Sequence, residues 1–180
     1  MSDINLLTER LVLRPLTIED ATVQYLSWLN DPEVNRYLES RFRVHQLKDL
    51  STFIEEVNSD PSAVLLGIFI RQNNKHIGNI KIDSINSYHK HGVIGLMIGD
   101  KREWGKGYAT ESIAAVTQYS LEQLELQKIT AGCYEGNLGS KKAFEKVGYQ
   151  VEGLLRSQVE TGEGREGVWQ LGILPNEFKV

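Results

Sequence analysis

The stretch Arg102-Glu103-Trp104-Gly105-Lys106-Gly107-Tyr108-Ala109 decides how this chain is read. It follows a short, apolar, β-branched run, Val93 to Ile98, and opens a helical pattern from about Gly107 to Leu121, so it is a strand-to-helix turn. The first N–H groups of a helix have no intrahelical partner and sit at the positive end of its dipole, which suits such a turn to an anion. Two glycines let the backbone approach a phosphate with no Cβ in the way. Two other phosphate motifs do not fit. A dinucleotide fingerprint wants Gly or Ala where this chain has Thr110, and lies in a first strand-helix-strand unit, not late in the chain. A P-loop lysine is followed by Ser or Thr, whereas Gly107 follows Lys106.

Upstream, Arg10 to Arg14 alternates charged and apolar residues and Pro15 closes the strand. Thr17 and Asp20 have capping-box spacing ahead of a helix through Ala21, Tyr25, Trp28 and Leu29. Asp31 as N-cap and Pro32 predict a second short helix through Val34 and Leu38. Leu47, Leu50, Phe53, Ile54 and Val57 mark an amphipathic helix, and Ala63–Ile70 with Ile77–Asp83 a hairpin. Ser84 to His91 reads as a polar loop. Downstream come a strand over Lys128–Glu135, a helix over Leu138–Val147 ending at Gly148, and strands near Tyr149–Val159 and Val168–Leu174 around a hairpin loop at Thr161–Gly167.

The chain has 180 residues, 41% hydrophobic and 24% charged, which points to one ordinary α/β domain over residues 1–180. A net charge of −4 and a pI near 5.6 give no general attraction to nucleic acid or an anionic membrane. The longest apolar run, around Ala63 to Ile70, is far short of a bilayer span. One cysteine and a start without an apolar or Arg-rich leader pattern make the cytoplasm the expected compartment. His45, His76, His89 and His91 are expected in loops or edges and show no metal-ligand spacing with any Cys, so no metal is expected.

Arg102-x-x-Gly105-x-Gly107 resembles the R/Q-x-x-G-x-G/A pyrophosphate loop of the GNAT superfamily of N-acetyltransferases. Thr8 to Leu16 is similar to the first strand of the Rim-type ribosomal-protein acetyltransferases. Asn137-x-x-Ser140 with Glu145-Lys146-Val147-Gly148-Tyr149 resembles their second CoA-binding segment. The resemblance implies a mixed sheet of six to seven strands, helices on both faces, and a splay between the fourth and fifth strands. It implies acetyl-CoA as cosubstrate. Backbone groups of Leu96, Met97 and Ile98 would meet the pantetheine arm. Arg102, Trp104, Gly105, Lys106, Gly107, Tyr108, Ala109 and Thr110 would cradle the phosphates, and Asn137, Ser140 and Phe144 would lie toward the thiol.

An ammonium cannot attack a thioester, so the acceptor must first lose a proton. An oxyanion would be met by a backbone N–H near Met97 or Ile98, and the departing thiolate needs a proton. Many members of the family supply it from a Tyr seven residues after the Asn. Phe144 stands there, which moves the role to Ser140 or a water. Glu135 and Glu160 are the candidate bases. Cys133 reads as a buried structural thiol.

The resemblance implies that Trp28 to Tyr37 borders the acceptor cleft, with His45 able to reach it. The Rim-like ends favour a protein or peptide N-terminal α-amine. Trp28 to Glu33 also looks like enzymes acting on nucleotide-linked amino sugars, and polyamines, antibiotics and a non-catalytic CoA-binding regulator are the alternatives. The sequence does not fix an oligomeric state, although exposed late strands offer an edge through which a homodimer would form.

Overall fold

The computed structural model describes residues 4–179. Its strands are β1 (Leu6–Leu7), β2 (Leu11–Pro15), β3 (Val64–Ile70), β4 (Lys75–Asn86), β5 (His91–Ile98), β6 (Lys128–Tyr134), β7 (Gln150–Thr161) and β8 (Gly164–Ile173). The helices are α1 (Val23–Asn30), α2 (Leu47–Ser59), α3 (Tyr108–Glu122) and α4 (Leu138–Val147). The alternation read at Arg10–Arg14 becomes β2, which sends Leu11 and Leu13 fully into the core.

One eight-stranded sheet runs in the order β1-β2-β3-β4-β5-β6-β8-β7. Its neighbours are antiparallel except β5 and β6, which are parallel because α3 crosses between them. Those two strands pair only over His91–Val93 and Lys128–Thr130, then diverge. This is the splay expected between Val93–Ile98 and Lys128–Glu135.

Helices α3 and α4 cover one face, where Ile94, Ile113, Val116, Ile129 and Phe144 pack with Leu11 and Leu13. The other face carries α1 and α2, with Trp28, Leu50 and Ile54 on Leu16, Leu65 and Phe69. Apolar side chains on both sheet faces thus bury beneath two helical layers.

The sheet exceeds the expected count by the two-residue edge strand β1, too short to show a period of two. Thr17 and Asp20 do form a capping box, but around a 3-10 turn at Ile18–Asp20. Arg14 holds Asp20 by two bonds of 2.7 and 2.8 Å, pinning the turn to β2, and α1 starts afresh under Thr22. The second short helix is replaced by turns over residues 32–37 and a 3-10 turn at Glu39–Phe42. Asp31 accepts from the backbone of Glu33, Val34 and Asn35, and the Asn35 amide donates to Leu29 O, so local bonds take the groups a helix would use. His45 lies in the loop before α2 as expected but not at the surface, and His76 falls in the interior strand β4 instead of a loop or edge. His45 is buried, and His76 stacks on Phe69 beside Tyr25 and Trp28, where burial lowers its pKa.

Candidate active site

Asp100 sets the loop that follows β5. Its carboxylate accepts from Arg102 N–H at 3.0 Å and caps a 3-10 turn at Lys101–Glu103. Trp104 then turns its indole N–H onto Ile98 O at 2.7 Å, closing the end of β5. Gly105 (φ 74°) and Gly107 (φ 85°) are both left-handed, a conformation that an L side chain strains. Gly107 is the N-cap of α3 and offers no side chain to the helix, so the first-turn N–H groups from Tyr108 to Thr110 point out of the helix end. Arg102 folds back onto Asp100 at 2.7 Å and Lys106 onto Glu103 at 2.8 Å. What the turn leaves available to an anion is therefore backbone N–H, not these two side chains.

A contact the sequence reading missed fastens this loop. Arg10, at the head of β2, donates to Lys106 O at 2.9 Å, pairs with Glu111 at 2.6 Å and lies over the Tyr108 ring. Glu111, in the first turn of α3, also accepts from Thr8 Oγ1 at 2.6 Å and Arg10 N–H at 2.9 Å. Thr8 and Arg10 stand in the quoted Thr8–Leu16 stretch, but their partner is about a hundred residues away and leaves no local pattern.

Gly99 N–H donates to Ile77 O at 2.8 Å. With Gly78 opposite Ile98 and Asn79 opposite Met97, antiparallel alternation turns the backbone of Met97 toward β4 and that of Leu96 and Ile98 toward the gap. Two of the three expected residues thus present free strand groups there, and Trp104 already occupies the carbonyl of Ile98.

A cavity of about 1320 Å³ runs through the splay. Leu96, Met97 and Ile98 line it, as do Trp104, Gly105 and Gly107, then Tyr108, Ala109 and Thr110, and finally Asn137, Ser140 and Phe144. Arg102, Lys106, Glu135 and Glu160 do not. The opposite wall comes from Leu29, Val34, Arg36 and Tyr37, then Glu39, His45 and Phe53, so the expected acceptor segment faces the gap. Trp28 itself is a core anchor at 5% exposure.

Asn137 caps α4 through its Oδ1, which accepts from Ser140 N–H at 3.2 Å, and its amide nitrogen stays available to the cavity. Phe144 is a core ring packed edge-on against Tyr149. Cys133 is buried, and burial pushes its thiol up to about 11, so it is a neutral wall group near pH 7. Glu135 Oε2 accepts from Gly167 N–H at 3.1 Å, and Glu160 pairs with Arg165 at 3.2 Å. Both carboxylates are thereby turned onto the β7–β8 side. His45 Nε2 lies 2.9 Å from Ser40 O.

The geometry suits a ligand with a phosphate head and an amide-bearing arm. The head meets the uncapped turn of α3, and the arm meets strand groups left unpaired by the splay. The acetyltransferase (GNAT) domain family matches residues 10–150. The uncharacterized N-acetyltransferase p20 of Bacillus licheniformis is 32% identical over 176 residues, covering 96% of this chain and 97% of that protein. Among solved structures, a GNAT-family acetyltransferase from Bacillus anthracis superposes with a TM-score of 0.83 at 22% identity, covering 97% of this chain and 100% of that one. Spermidine N-acetyltransferase from Vibrio cholerae, solved with CoA and spermine, gives 0.83 at 22% identity, covering 94% and 98%. With its splayed sheet, its left-handed glycine turn and this family match, the chain belongs to the GNAT acetyltransferases, and it transfers acetyl from acetyl-CoA to an amine.

Proposed function

We propose that the acceptor is the α-amine of a protein or peptide N terminus, as in the Rim-type enzymes that Thr8–Leu16 resembles. The observation that carries the acetyl-transfer reading is the splay of β5 from β6 beside the uncapped N terminus of α3. In this reading the N–H groups from Gly105 to Thr110 hold the pyrophosphate, and Leu96 and Ile98 pair with the pantetheine amides. Asn137 and Ser140 flank the thiol end, with Phe144 as an apolar contact. Arg102 and Lys106 shape the turn through their carboxylate partners. When bound, acetyl-CoA supplies an activated acetyl carbon that an amine attacks directly, and Cys133, held as a thiol, takes no part.

A peptide acceptor is supported by the other side of the gap. Nothing lies within 4 Å of where a Cβ at Gly95 would stand, so bare strand backbone faces the cavity there. With no side chain at Gly95, an acceptor main chain can lie close against that face of the strand.

The test is CoA release from acetyl-CoA with short peptides, the same peptides blocked at the N terminus, nucleotide-linked amino sugars and polyamines. Turnover with free peptides and none with blocked ones is expected. Turnover with amino sugars or polyamines alone would overturn the acceptor and leave acetyl transfer standing.

A further inference from the structure

Among the described residues, four carboxylates line the cavity: Glu33, Glu39, Asp49 and Glu103. Glu33 is paired with Lys101, and Glu103 with Lys75 and Lys106. Asp49 accepts from Gln46 N–H at the start of α2. Glu39 has no cationic partner among the described residues. It accepts instead from the Tyr134 hydroxyl at 2.5 Å.

Tyr134 ends β6 on the cavity wall at 5% exposure. Cys133, one residue earlier, packs on the α4 side with Ala143 and Phe144. Alternation along the strand therefore carries the phenol to the acceptor side, against Tyr37 with ring centroids 5.9 Å apart. Its carbonyl accepts from Asn137 N–H at 2.8 Å, so the phenol and the cap of α4 share one end of the strand. Arg41 donates to the same hydroxyl at 2.6 Å and is itself held by Leu38 O and Glu160 O.

We propose that Glu39 and Tyr134 are the proton-handling pair of the acetyl transfer, with Arg41 as their positioning residue. This rests on the acetyl-transfer reading above. An acceptor ammonium gives one proton to the Glu39 carboxylate. The freed amine forms the new C–N bond to the acetyl carbon, and the C–S bond breaks with its electron pair going to sulfur. The Tyr134 hydroxyl protonates the thiolate, Arg41 balances the phenolate, and the Glu39 carboxyl proton restores the phenol. The remaining proton on nitrogen leaves to water, so amide, thiol and one proton result. Burial, reinforced by the bond to Glu39, raises the Tyr134 pKa, which keeps the phenol protonated at neutral pH. The pair does the work of the tyrosine missing at position 144, from the strand instead of the helix.

The test is steady-state kinetics on the full chain, with an amine the wild type accepts, for Tyr134→Phe and Glu39→Gln. Both keep shape and volume. Tyr134→Phe is expected to lower kcat about a hundredfold, within the range of one general acid or base, with the KM for acetyl-CoA unchanged. Glu39→Gln should lower kcat by a similar factor, again with the KM for acetyl-CoA unchanged. Either variant retaining kcat within twofold overturns the pair. A fall in thermal stability or a rise in acetyl-CoA KM that accounts for the whole loss would also overturn it, in favour of a structural role. If the wild type releases no CoA with any amine, the acetyl-transfer reading falls and the pair with it.

Discussion

Asp100 shows how one side chain sets the site. It is 5% exposed, caps the turn before the glycine loop and joins Arg102 to Lys75. The Arg102 bond, seconded by Lys75, holds its carboxyl well below the ordinary 3.8. A carboxyl with a depressed folded pKa binds fewer protons folded than unfolded. Its stabilisation is therefore complete above about pH 4 and is lost as pH falls through the folded value. Asp100→Asn should cost roughly 1–2 kcal/mol at pH 7 by urea unfolding, because it removes the anion that joins Arg102 to Lys75, while Arg102 is solvated and Glu103 still holds Lys75. It should also flatten the fall in stability below pH 4. Cys133 is the contrasting case. Its thiol is buried with apolar neighbours and accepts no role in transfer, so Cys133→Ala should lower stability by about 1 kcal/mol and leave kcat unchanged. Loss of turnover in that variant would reopen covalent catalysis.

At the scale of elements, the start of β2 grips the start of α3. Arg10 reaches Lys106 O and Glu111, fixing the loop without touching the gap between β5 and β6. Arg10→Ala should raise the KM for acetyl-CoA several-fold with little change in kcat. Because the pair is partly exposed, it should cost no more than about 1 kcal/mol of stability. Equal falls in kcat and kcat/KM would place Arg10 in the chemistry instead. This scale also marks what the sequence could disclose. Helix α4 was legible residue for residue from its periodicity and from Gly148, which is left-handed at φ 111°. The loop at Gly105 and Gly107 was legible because only glycine is at ease there. The turns at 32–37 were not, since Asp31 and Asn35 spend their side chains on neighbouring backbone and the spacing of Val34 and Leu38 mimics a helix. Nor were Arg10 with Glu111, or Glu39 with Tyr134, whose partners lie 101 and 95 residues apart. Such pairs exist only once the sheet has brought β2, α3, β6 and the α1–α2 connection together.

Over the whole molecule, the gap lies between two cores, α3 with α4 on one face and α1 with α2 on the other. A ligand lying in the gap touches both, so acetyl-CoA binding should register as stability of the entire fold. At a hundred times Kd the gain is about 2.7 kcal/mol, or roughly 5–10 °C in Tm for a domain of this size, readable by thermal unfolding with and without acetyl-CoA. The same architecture sets the most direct test of the central claim, that the uncapped turn at Gly105–Thr110 is where the phosphates of acetyl-CoA sit. That test is calorimetric titration of acetyl-CoA into the wild type and Gly107→Asp, with thermal unfolding to confirm that the variant is folded. A carboxylate at the helix N terminus, on a residue whose φ of 85° disfavours any side chain, should weaken binding at least about tenfold. Equal affinity in a folded Gly107→Asp variant would contradict the account and place acetyl-CoA elsewhere on the molecule.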